Sequence, residues 1–314
     1  MTTLVLGGTG TVGSRIARLL AASSIPALIA SRSGDNPTAS PNTTTARGVP
    51  FDWEKRETWP NPFEEAARTA REEGREQAAG IKSVYLVAPP PTTTTPDTMA
   101  DVMMDFVDFA RARGARRFVL QSASAIEAGG PAMGKVHAYL RELGTRGEVD
   151  WAVLRPSWFQ QNLSEHEAHV RSIRDESKIY SATGDGKIPW VSADDIAAVA
   201  VEVLTRKAPP NTEFLVLGPE LLSYNEVAGI LSKVLGRRIV HVDLSSAEYA
   251  KRREQAGMPE NYANMLHSLD TAVKFGSENR TNDVVLSMTG VAPRRFLELA
   301  EAVKSVWEPA AAAA

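Results

Sequence analysis

Hydrophobic and polar positions change their period within the first twenty residues of the chain. Residues 4–6 form a short apolar run, which is typical of a buried strand, and glycines follow at three-residue spacing. Val12, Ile16 and Leu19 then recur at the spacing of one helix face. This pattern predicts a strand, a tight turn and a helix, with the turn leading into the helix N-terminus.

The same alternation of short apolar runs and amphipathic segments continues to residue 155. Strands separated by helices predict a parallel sheet with helices on both faces, which is a Rossmann-type doubly wound α/β fold. We therefore expect a dinucleotide-binding domain at residues 1–155. The predicted strands are 4–6, 27–30, 49–53, 84–87, 117–120 and 151–155, and helices are predicted at 63–77 and 98–113.

Residues 156–314 are predicted to form a smaller α/β substrate-binding region, interleaved with the first domain. Two short extended segments surround a Gly-Asp-Gly turn at residues 184–186, and Ser192 begins a helix with an acidic first turn. Ser223 and Glu226 have the spacing of a capping box, so Glu226 is interpreted as a cap and not as a catalytic acid. Further strands are predicted at 214–217 and 239–242, and helices that could close over the site at 247–257 and 259–275.

The composition excludes several classes of function. The 314 residues include 35 basic and 38 acidic ones, and a net charge of −3 gives no reason to expect a nucleic acid or a membrane surface as partner. No cysteine is present, which excludes disulfides, thiolate zinc sites and cysteine nucleophiles. His166 and His169 lie close together on what reads as a solvated helix face, so we expect no metal site. No apolar run approaches the roughly 18 residues of a membrane span, and we expect a cytoplasmic protein.

The turn after the first strand favours the binding of a phosphate. Free backbone N–H groups and the positive end of the helix dipole attract an anion there, and glycine lets the backbone approach a pyrophosphate without a Cβ in the way. The expected contacts are Gly7, Gly10, Thr11, Val12 and Gly13. Their Gly-x-x-Gly-x-x-Gly spacing resembles that of the extended and atypical short-chain dehydrogenases.

The end of the second predicted strand meets the adenosine ribose in dinucleotide-binding folds. An acidic residue there binds the ribose 2′-hydroxyl of NAD, but this chain has Arg32 between Ser31 and Ser33. A guanidinium flanked by hydroxyls suits a 2′-phosphate, so we expect NADPH as the cofactor; the alternative is an arginine on a surface loop. Asp52 is expected near the adenine amino group, and Trp53 either covers the adenine ring or belongs to the core.

Two further strand ends are expected to border the cofactor, because the carboxyl ends of parallel strands face the ligand crevice. After the fourth strand, prolines take the chain out of the sheet, which leaves Val87, Ala88 and Pro89 as cofactor contacts. Ser122 and Ser124 follow the fifth strand, where short-chain dehydrogenases carry the serine that steadies a reacting carbonyl. We expect Ser122 at the cofactor and Ser124 in the substrate pocket, or either serine in a structural role.

The catalytic Tyr-x-x-x-Lys of short-chain dehydrogenases, in which lysine lowers the pKa of a proton-donating tyrosine, is absent. Tyr139 is followed four residues later by Leu143, and Lys135 is preceded four residues earlier by Pro131. Alignment of this helix with the usual pattern places Met133 where the lysine would stand. We therefore predict no catalytic side chain, and Tyr139 is a candidate for the substrate pocket.

The loop after the sixth strand carries an aromatic pair. Residues 154–163 read Leu-Arg-Pro-x-x-Phe-x-x-Asn-Leu, which resembles the NmrA-like branch of the atypical short-chain dehydrogenases. In that branch the loop packs against the nicotinamide and the substrate. The resemblance implies cofactor contacts from Pro156 and Trp158 and substrate contacts from Trp158 and Phe159; the alternative is that these aromatic residues belong to the core.

A closer resemblance extends over nearly the whole chain. Gly-Gly-Pro-Ala-Met-Gly at 129–134 and Tyr-Ser-Ala-Thr-Gly-Asp-Gly-Lys-Ile-Pro at 180–189 are uncommon strings. With them the chain resembles the fungal ergot-alkaloid dehydrogenases, the festuclavine and agroclavine group. Gly13 is a third glycine of the first turn that we expect some members to lack. The other resembling segments are 30–33, 84–91, 136–140, 154–165 and 217–224.

This resemblance implies the last reductive step to a tetracyclic clavine, an indole alkaloid. Chanoclavine-I aldehyde, processed by an upstream old-yellow-enzyme-type reductase, cyclises with its secondary amine to an iminium ion, which accepts hydride from NADPH. Reduction of an iminium gives a neutral amine and needs no proton, which accounts for the missing Tyr-x-x-x-Lys. Trp158, Phe159 and Trp190 suit a cationic substrate, and Asp185 either adds charge or only shapes its turn.

Two other functions fit the same residues. An NmrA-like redox sensor that binds NADP(H) without turnover would also lack the catalytic pair. A reductase of quinones or enones in the same fold would also use NADPH. The three hypotheses differ in which acceptor, if any, oxidises NADPH.

Overall fold

The computed structural model describes residues 2–38, 45–74, 80–89, 96–258 and 260–309. Within these ranges the chain alternates strands and helices in the predicted manner. The strands are β1 Thr2–Leu6, β2 Ala27–Ser31, β3 Ala46–Pro50, β4 Ile81–Leu86, β5 Arg117–Gln121, β6 Asp150–Pro156, β7 Lys178–Ser181, β8 Ile188–Pro189, β9 Thr212–Val216, β10 Leu221–Leu222 and β11 Val240–Asp243.

Helices follow most of the strands. They begin and end close to the predicted positions, although the helix predicted at 63–77 begins at Asn61 and its last three predicted residues lie outside the described ranges. The helices are α1 Thr11–Ala22, α2 Asn61–Glu72, α3 Pro96–Ala112, α4 Met133–Thr145, α5 Asn162–Glu165, α6 Glu167–Glu176, α7 Ala193–Thr205, α8 Tyr224–Leu235, α9 Ser246–Gln255, α10 Glu260–Lys274, α11 Val284–Thr289 and α12 Phe296–Ala302.

Seven of the described strands form the main sheet, in the order β3-β2-β1-β4-β5-β6-β9. Neighbouring strands from β3 to β6 are parallel. The order reverses beside β1, because β2 lies on one side of it and β4 on the other. Ligands of such sheets bind outside the carboxyl ends of the strands at this reversal. The Rossmann-type α/β prediction is therefore confirmed.

Residues 1–155 and 196–215 form one compact unit. Its core includes a cluster of edge-to-face aromatic rings in which Phe51, Trp53 and Trp59 surround Phe106. The third strand was predicted at residues 49–53 but ends at Pro50, because the chain turns inward there and places Phe51 and Trp53 in this core.

Residues 156–195 and 216–314 form the second unit. Here β7 pairs in parallel with β11, and β8 pairs with β10 in antiparallel orientation. The two extended segments predicted around the Gly-Asp-Gly turn are therefore present, but each pairs with a later strand. A second core collects large apolar side chains, among them Trp190, Tyr224, Phe296 and Trp307.

Within the described residues, no helix is both long and apolar enough to span a membrane.

Candidate functional site

The glycine turn has the geometry of a phosphate cradle. Gly7 adopts a φ of 63°, in the left-handed region that favours glycine, and its carbonyl accepts a hydrogen bond of 2.9 Å from the N–H of Gly10. Gly10 is the N-cap of α1, and no described side chain caps this helix end. The helix dipole and its first N–H groups thus point out of the turn, which is the arrangement that binds an anion.

Close packing leaves no room for a side chain at Gly7, Gly8 or Gly13 of this turn. An ideal Cβ on Gly13 would lie 2.2 Å from the carbonyl oxygen of Gly7, and one on Gly7 would lie 2.5 Å from Cγ1 of Val87. The structure therefore brings together the turn and the residues that follow β4. Val87 and Ala88 are half-buried and Pro89 is buried. The site fits a dinucleotide, because the exposed backbone of Gly7 lies beside the helix end at Gly10 and next to the apolar side chain of Val87.

At the end of β2, Ser31 is buried and Arg32 and Ser33 are exposed. The hydroxyl oxygens of the two serines lie 3.5 Å apart, and Ser33 donates a hydrogen bond of 2.6 Å to the carboxylate of Asp35. Arg32 is thus accessible to a ligand. Sequence reasoning overlooked Asp35, which places an acidic group two residues from the expected 2′-phosphate contacts.

Asp52 and Trp53 follow β3. The carboxylate of Asp52 accepts a hydrogen bond of 3.1 Å from the N–H of Glu54 and lies 4.0 Å from Nζ of Lys55, which are contacts that shape its own turn. Trp53 is 8% exposed and its ring packs edge-on against Phe51 at 5.2 Å. Of the two alternatives for Trp53, the packing supports the core.

Ser122 and Ser124 both lie at the end of β5, and both are buried. The N–H of Ser122 donates to the carbonyl of Leu154 at 2.8 Å. Its hydroxyl oxygen has no hydrogen-bond partner among the described residues. Because a buried hydroxyl without a partner costs free energy, Ser122 offers a donor to a ligand at the carboxyl edge of the sheet.

Tyr139 lies on α4 and is half-buried. Its hydroxyl donates a hydrogen bond of 2.7 Å to the carboxylate of Asp108, so the side chain is held against α3. Burial and this hydrogen bond raise the pKa of Tyr139 to about 12. Lys135 on the same helix is exposed. The placement of Tyr139 in the substrate pocket stays a prediction, and its hydroxyl is bonded to a neighbouring helix.

In the second unit, the loop after β6 presents half-buried Trp158 and Phe159, and Pro156 is buried at the end of the strand. The loop is fixed by two buried glutamines that sequence reasoning missed. Gln160 donates to the carbonyls of Trp190 and Arg294, at 3.2 and 2.9 Å. The following glutamine binds the start of α7 through the hydroxyl of Ser192 and the N–H of Ala193.

Trp190 lies within the core of the second unit. Its ring is 0% exposed, packs edge-on against Tyr224 at 5.0 Å, and donates its N–H to the carbonyl of Leu222 at 3.1 Å. The prediction that it lines the substrate pocket is corrected for this reason. Asp185 accepts a hydrogen bond of 2.9 Å from Asn225, which supports its role in shaping the turn.

The sequence of the chain matches two families of known proteins. Residues 132–301 match the NmrA-like family and residues 7–207 match an NAD(P)H-binding family. Festuclavine synthase II of Penicillium roqueforti is 45% identical over 98% of this chain and 100% of its own length. Agroclavine dehydrogenase of Claviceps fusiformis is 42% identical over 98% of this chain and 99% of its own length.

A solved structure shares the fold. Triphenylmethane reductase of Citrobacter sp., complexed with NADP(H), superposes with a TM-score of 0.74 at 18% identity and covers 96% of this chain and 100% of its own. The NAD(P)H-binding match agrees with the cradle at the first turn. The chain belongs to the NmrA-like family of NAD(P)H-binding oxidoreductases, in the same group as the festuclavine and agroclavine dehydrogenases.

Proposed function

We propose that this protein uses NADPH to reduce a clavine iminium ion, cyclised from chanoclavine-I aldehyde, to a tetracyclic clavine such as festuclavine or agroclavine. The observation that carries the proposal is 45% identity to a festuclavine synthase over 98% of the chain. The product depends on the upstream reductase, because that enzyme determines whether the ring D double bond is retained. In this proposal residues 1–155 bind the cofactor and residues 156–314 supply the substrate-binding region.

The cofactor, when bound, supplies the hydride. The pyrophosphate is held by the turn at residues 7–13, whose tight backbone packing and uncapped helix end support this assignment. The exposed guanidinium of Arg32 binds the 2′-phosphate, and Ser31 contributes a hydroxyl. The remaining proposed contacts are Val87, Ala88, Pro89, Ser122, Pro156 and Trp158.

No side chain has to move a proton in this reaction. Reduction of a ketone produces an alkoxide that must be protonated, whereas reduction of an iminium produces a neutral amine. The hydrogen bond from Tyr139 to Asp108 is consistent with this, since it removes the helix tyrosine from proton transfer. Catalysis then rests on orientation, which supplies at most about 7–11 kcal/mol when the reacting atoms are well aligned.

The substrate cation is recognised by aromatic faces. Trp158 and Phe159 are half-buried, so each ring keeps an accessible part, and two buried glutamines fix the loop that carries them. A cation over such a ring gains roughly 0.5–2 kcal/mol. Fixing the rings in advance lowers the entropy lost on binding.

Turnover with defined acceptors tests the proposal. The purified protein is incubated with NADPH and the iminium generated from chanoclavine-I aldehyde, the nicotinamide absorbance is followed, and the product is identified by mass spectrometry. We expect NADPH oxidation that depends on the iminium and yields a tetracyclic clavine. Phe159→Leu tests the aromatic contact. This variant removes one aromatic face and should raise the KM for the iminium, while the affinity for NADPH stays unchanged.

Two outcomes would refute the proposal. Tight NADPH binding without oxidation, at any enzyme concentration, would indicate a sensor. Oxidation by quinones or enones but not by the iminium would indicate a reductase of those acceptors.

A further inference from the structure

A buried arginine links three parts of the first unit. Arg155, near the end of β6, is 3% exposed. Its Nη2 donates to the carbonyl oxygen of Ser124 at 2.8 Å, and its Nη1 donates to the carboxylate of Glu213 on β9 at 2.8 Å. Both terminal nitrogens also bond to the carboxylate of Glu127. The guanidinium therefore ties the segment after β5 to β6 and to β9.

The arrangement compensates a buried charge. A guanidinium taken out of water is stable only when carboxylates and hydrogen bonds replace the water it loses. Glu213 belongs to the sheet, whereas Glu127 belongs to the segment that carries the two serines. The Glu127 side chain is 75% exposed and that of Arg155 is 4% exposed, so this carboxylate joins a surface segment to a buried guanidinium. Its bidentate contact with Arg155 fixes the position of the segment as well as compensating the buried charge.

The segment of residues 122–127 also carries Ser122, whose buried hydroxyl has no hydrogen-bond partner among the described residues. Ser122 hydrogen-bonds through its N–H to Leu154, which directly precedes Arg155. Two residues further on, the carbonyl of Ser124 is held by Arg155. A shift of the segment would therefore move the Ser122 hydroxyl relative to the carboxyl edge of the sheet.

We infer that Arg155, acting through Glu127 and the Ser124 carbonyl, is a positioning residue that holds the Ser122 hydroxyl in place for the nicotinamide end of the cofactor. The inference rests on the proposed cofactor contact of Ser122. Arg155 itself touches no reacting atom. Its role is to fix residues 122–127 so that the hydroxyl already has its bound position before the cofactor arrives.

The test uses two carboxylates that bond to the same guanidinium. Replacement of Arg155 would leave a buried gap, so it would not separate a loss of stability from a loss of positioning. Glu127→Gln weakens the tie to the serine segment, and Glu213→Gln is the matched control that weakens the tie to β9. Hydrogen exchange of the amides at residues 122–130, measured without substrate, reports the position of the segment directly.

For Glu127→Gln we expect about tenfold faster amide exchange in this segment, in a protein that remains folded at the assay temperature. The kcat for the iminium should fall about fivefold or more while the Kd for NADPH changes less than about twofold, because the pyrophosphate and 2′-phosphate contacts dominate affinity. Ser122→Ala should reduce kcat by a similar factor, and the double variant should show no further loss. For Glu213→Gln we expect a lower melting temperature with the exchange of the segment and kcat retained.

Equal exchange in Glu127→Gln and wild type, equal effects of the two glutamine variants, or multiplicative losses in the double variant would overturn the inference. If the wild type reduces no iminium, the proposed function fails instead. The inference is then decided by the exchange data together with the fluorescence of bound NADPH, whose emission should change in Glu127→Gln and Ser122→Ala alike.

Discussion

Replacement of Gly13 by alanine tests the phosphate cradle most directly. The added methyl group improves helix propensity in α1, which alone would stabilise the protein by about 1 kcal/mol. The new Cβ, however, would lie 2.2 Å from the carbonyl oxygen of Gly7, which is 1.2 Å short of the 3.4 Å at which ordinary contact begins. The other near atoms, the carbonyl carbon of Gly7 and the Cα of Gly8, are also backbone, so no flexible side chain can yield.

The turn itself must therefore move by about 1 Å, and overpacking of this kind costs about 1–3 kcal/mol. Set against the gain in propensity, the net loss of stability is about 0–2 kcal/mol, so the variant should fold. Because the displaced N–H groups are those proposed to bind the pyrophosphate, we expect the Kd for NADPH to rise at least about tenfold, which corresponds to about 1.4 kcal/mol. Titration calorimetry with NADPH and thermal unfolding provide the two measurements.

Gly229→Ala is the matched control. This glycine lies within α8 and an added Cβ meets no described atom within 4 Å, so the same change should raise stability by up to about 1 kcal/mol and leave NADPH affinity unchanged. A folded Gly13→Ala protein that binds NADPH as tightly as the wild type would refute the reasoning.

Three further predictions concern cofactor choice, proton transfer and pH. Arg32→Ala should weaken NADPH binding at least about tenfold and NADH binding much less, measured by titration, because only NADPH carries the 2′-phosphate. Tyr139→Phe should keep kcat/KM for the iminium within about threefold of the wild type, since its hydroxyl is bonded to Asp108. Burial raises the pKa of Asp195 from 3.8 to about 6. The native state therefore binds the proton more tightly than the unfolded chain does. As the pH rises from about 4 to 6, this carboxyl lowers the free energy of unfolding of the protein by up to about 3 kcal/mol. In urea unfolding, the free energy of unfolding of Asp195→Asn, relative to that of the wild type, should therefore be higher at pH 7 than at pH 4.

Each of these has a contrary result. Equal loss of NADPH and NADH binding would remove the assignment of Arg32. A collapse of turnover in folded Tyr139→Phe would show that a proton donor is needed. A pH-independent difference between Asp195→Asn and the wild type would show that the carboxyl does not titrate in this range.

The fold was predictable because the hydrophobic pattern reports it locally. Short apolar runs and amphipathic helices predicted the elements, and the glycine spacing predicted the turn at Gly7. The third strand was misplaced because β3 begins with Ala46, Arg47 and Gly48, which show no apolar alternation. Parallel pairing with β2 makes this segment a strand. The strand pattern failed where pairing with a neighbour, and not local hydrophobicity, determines the structure.

The candidate site was less predictable, because residue type does not tell which way a side chain faces. Trp190 suited a cation by chemistry, yet its ring is enclosed by Tyr224 and Phe296. Gln160 reads as an ordinary polar loop residue, but it holds a carbonyl 134 positions away, at Arg294. Partners this distant in the chain leave no local signal, so orientation and long-range hydrogen bonds required the structure.

The first unit is built from two separate pieces of chain, and this has a consequence for synthesis. β9 is the neighbour of β6 in the sheet, and Arg117 of β5 donates to the carbonyl of Val203 on α7. Until residue 216 is made, the nascent protein carries β6 as an open sheet edge. At about 5–20 residues per second, the 60 residues after Pro156 take about 3–12 s to translate. During that interval the exposed edge is a site for misassembly or for a chaperone, and a fragment that stops at residue 155 would keep it permanently.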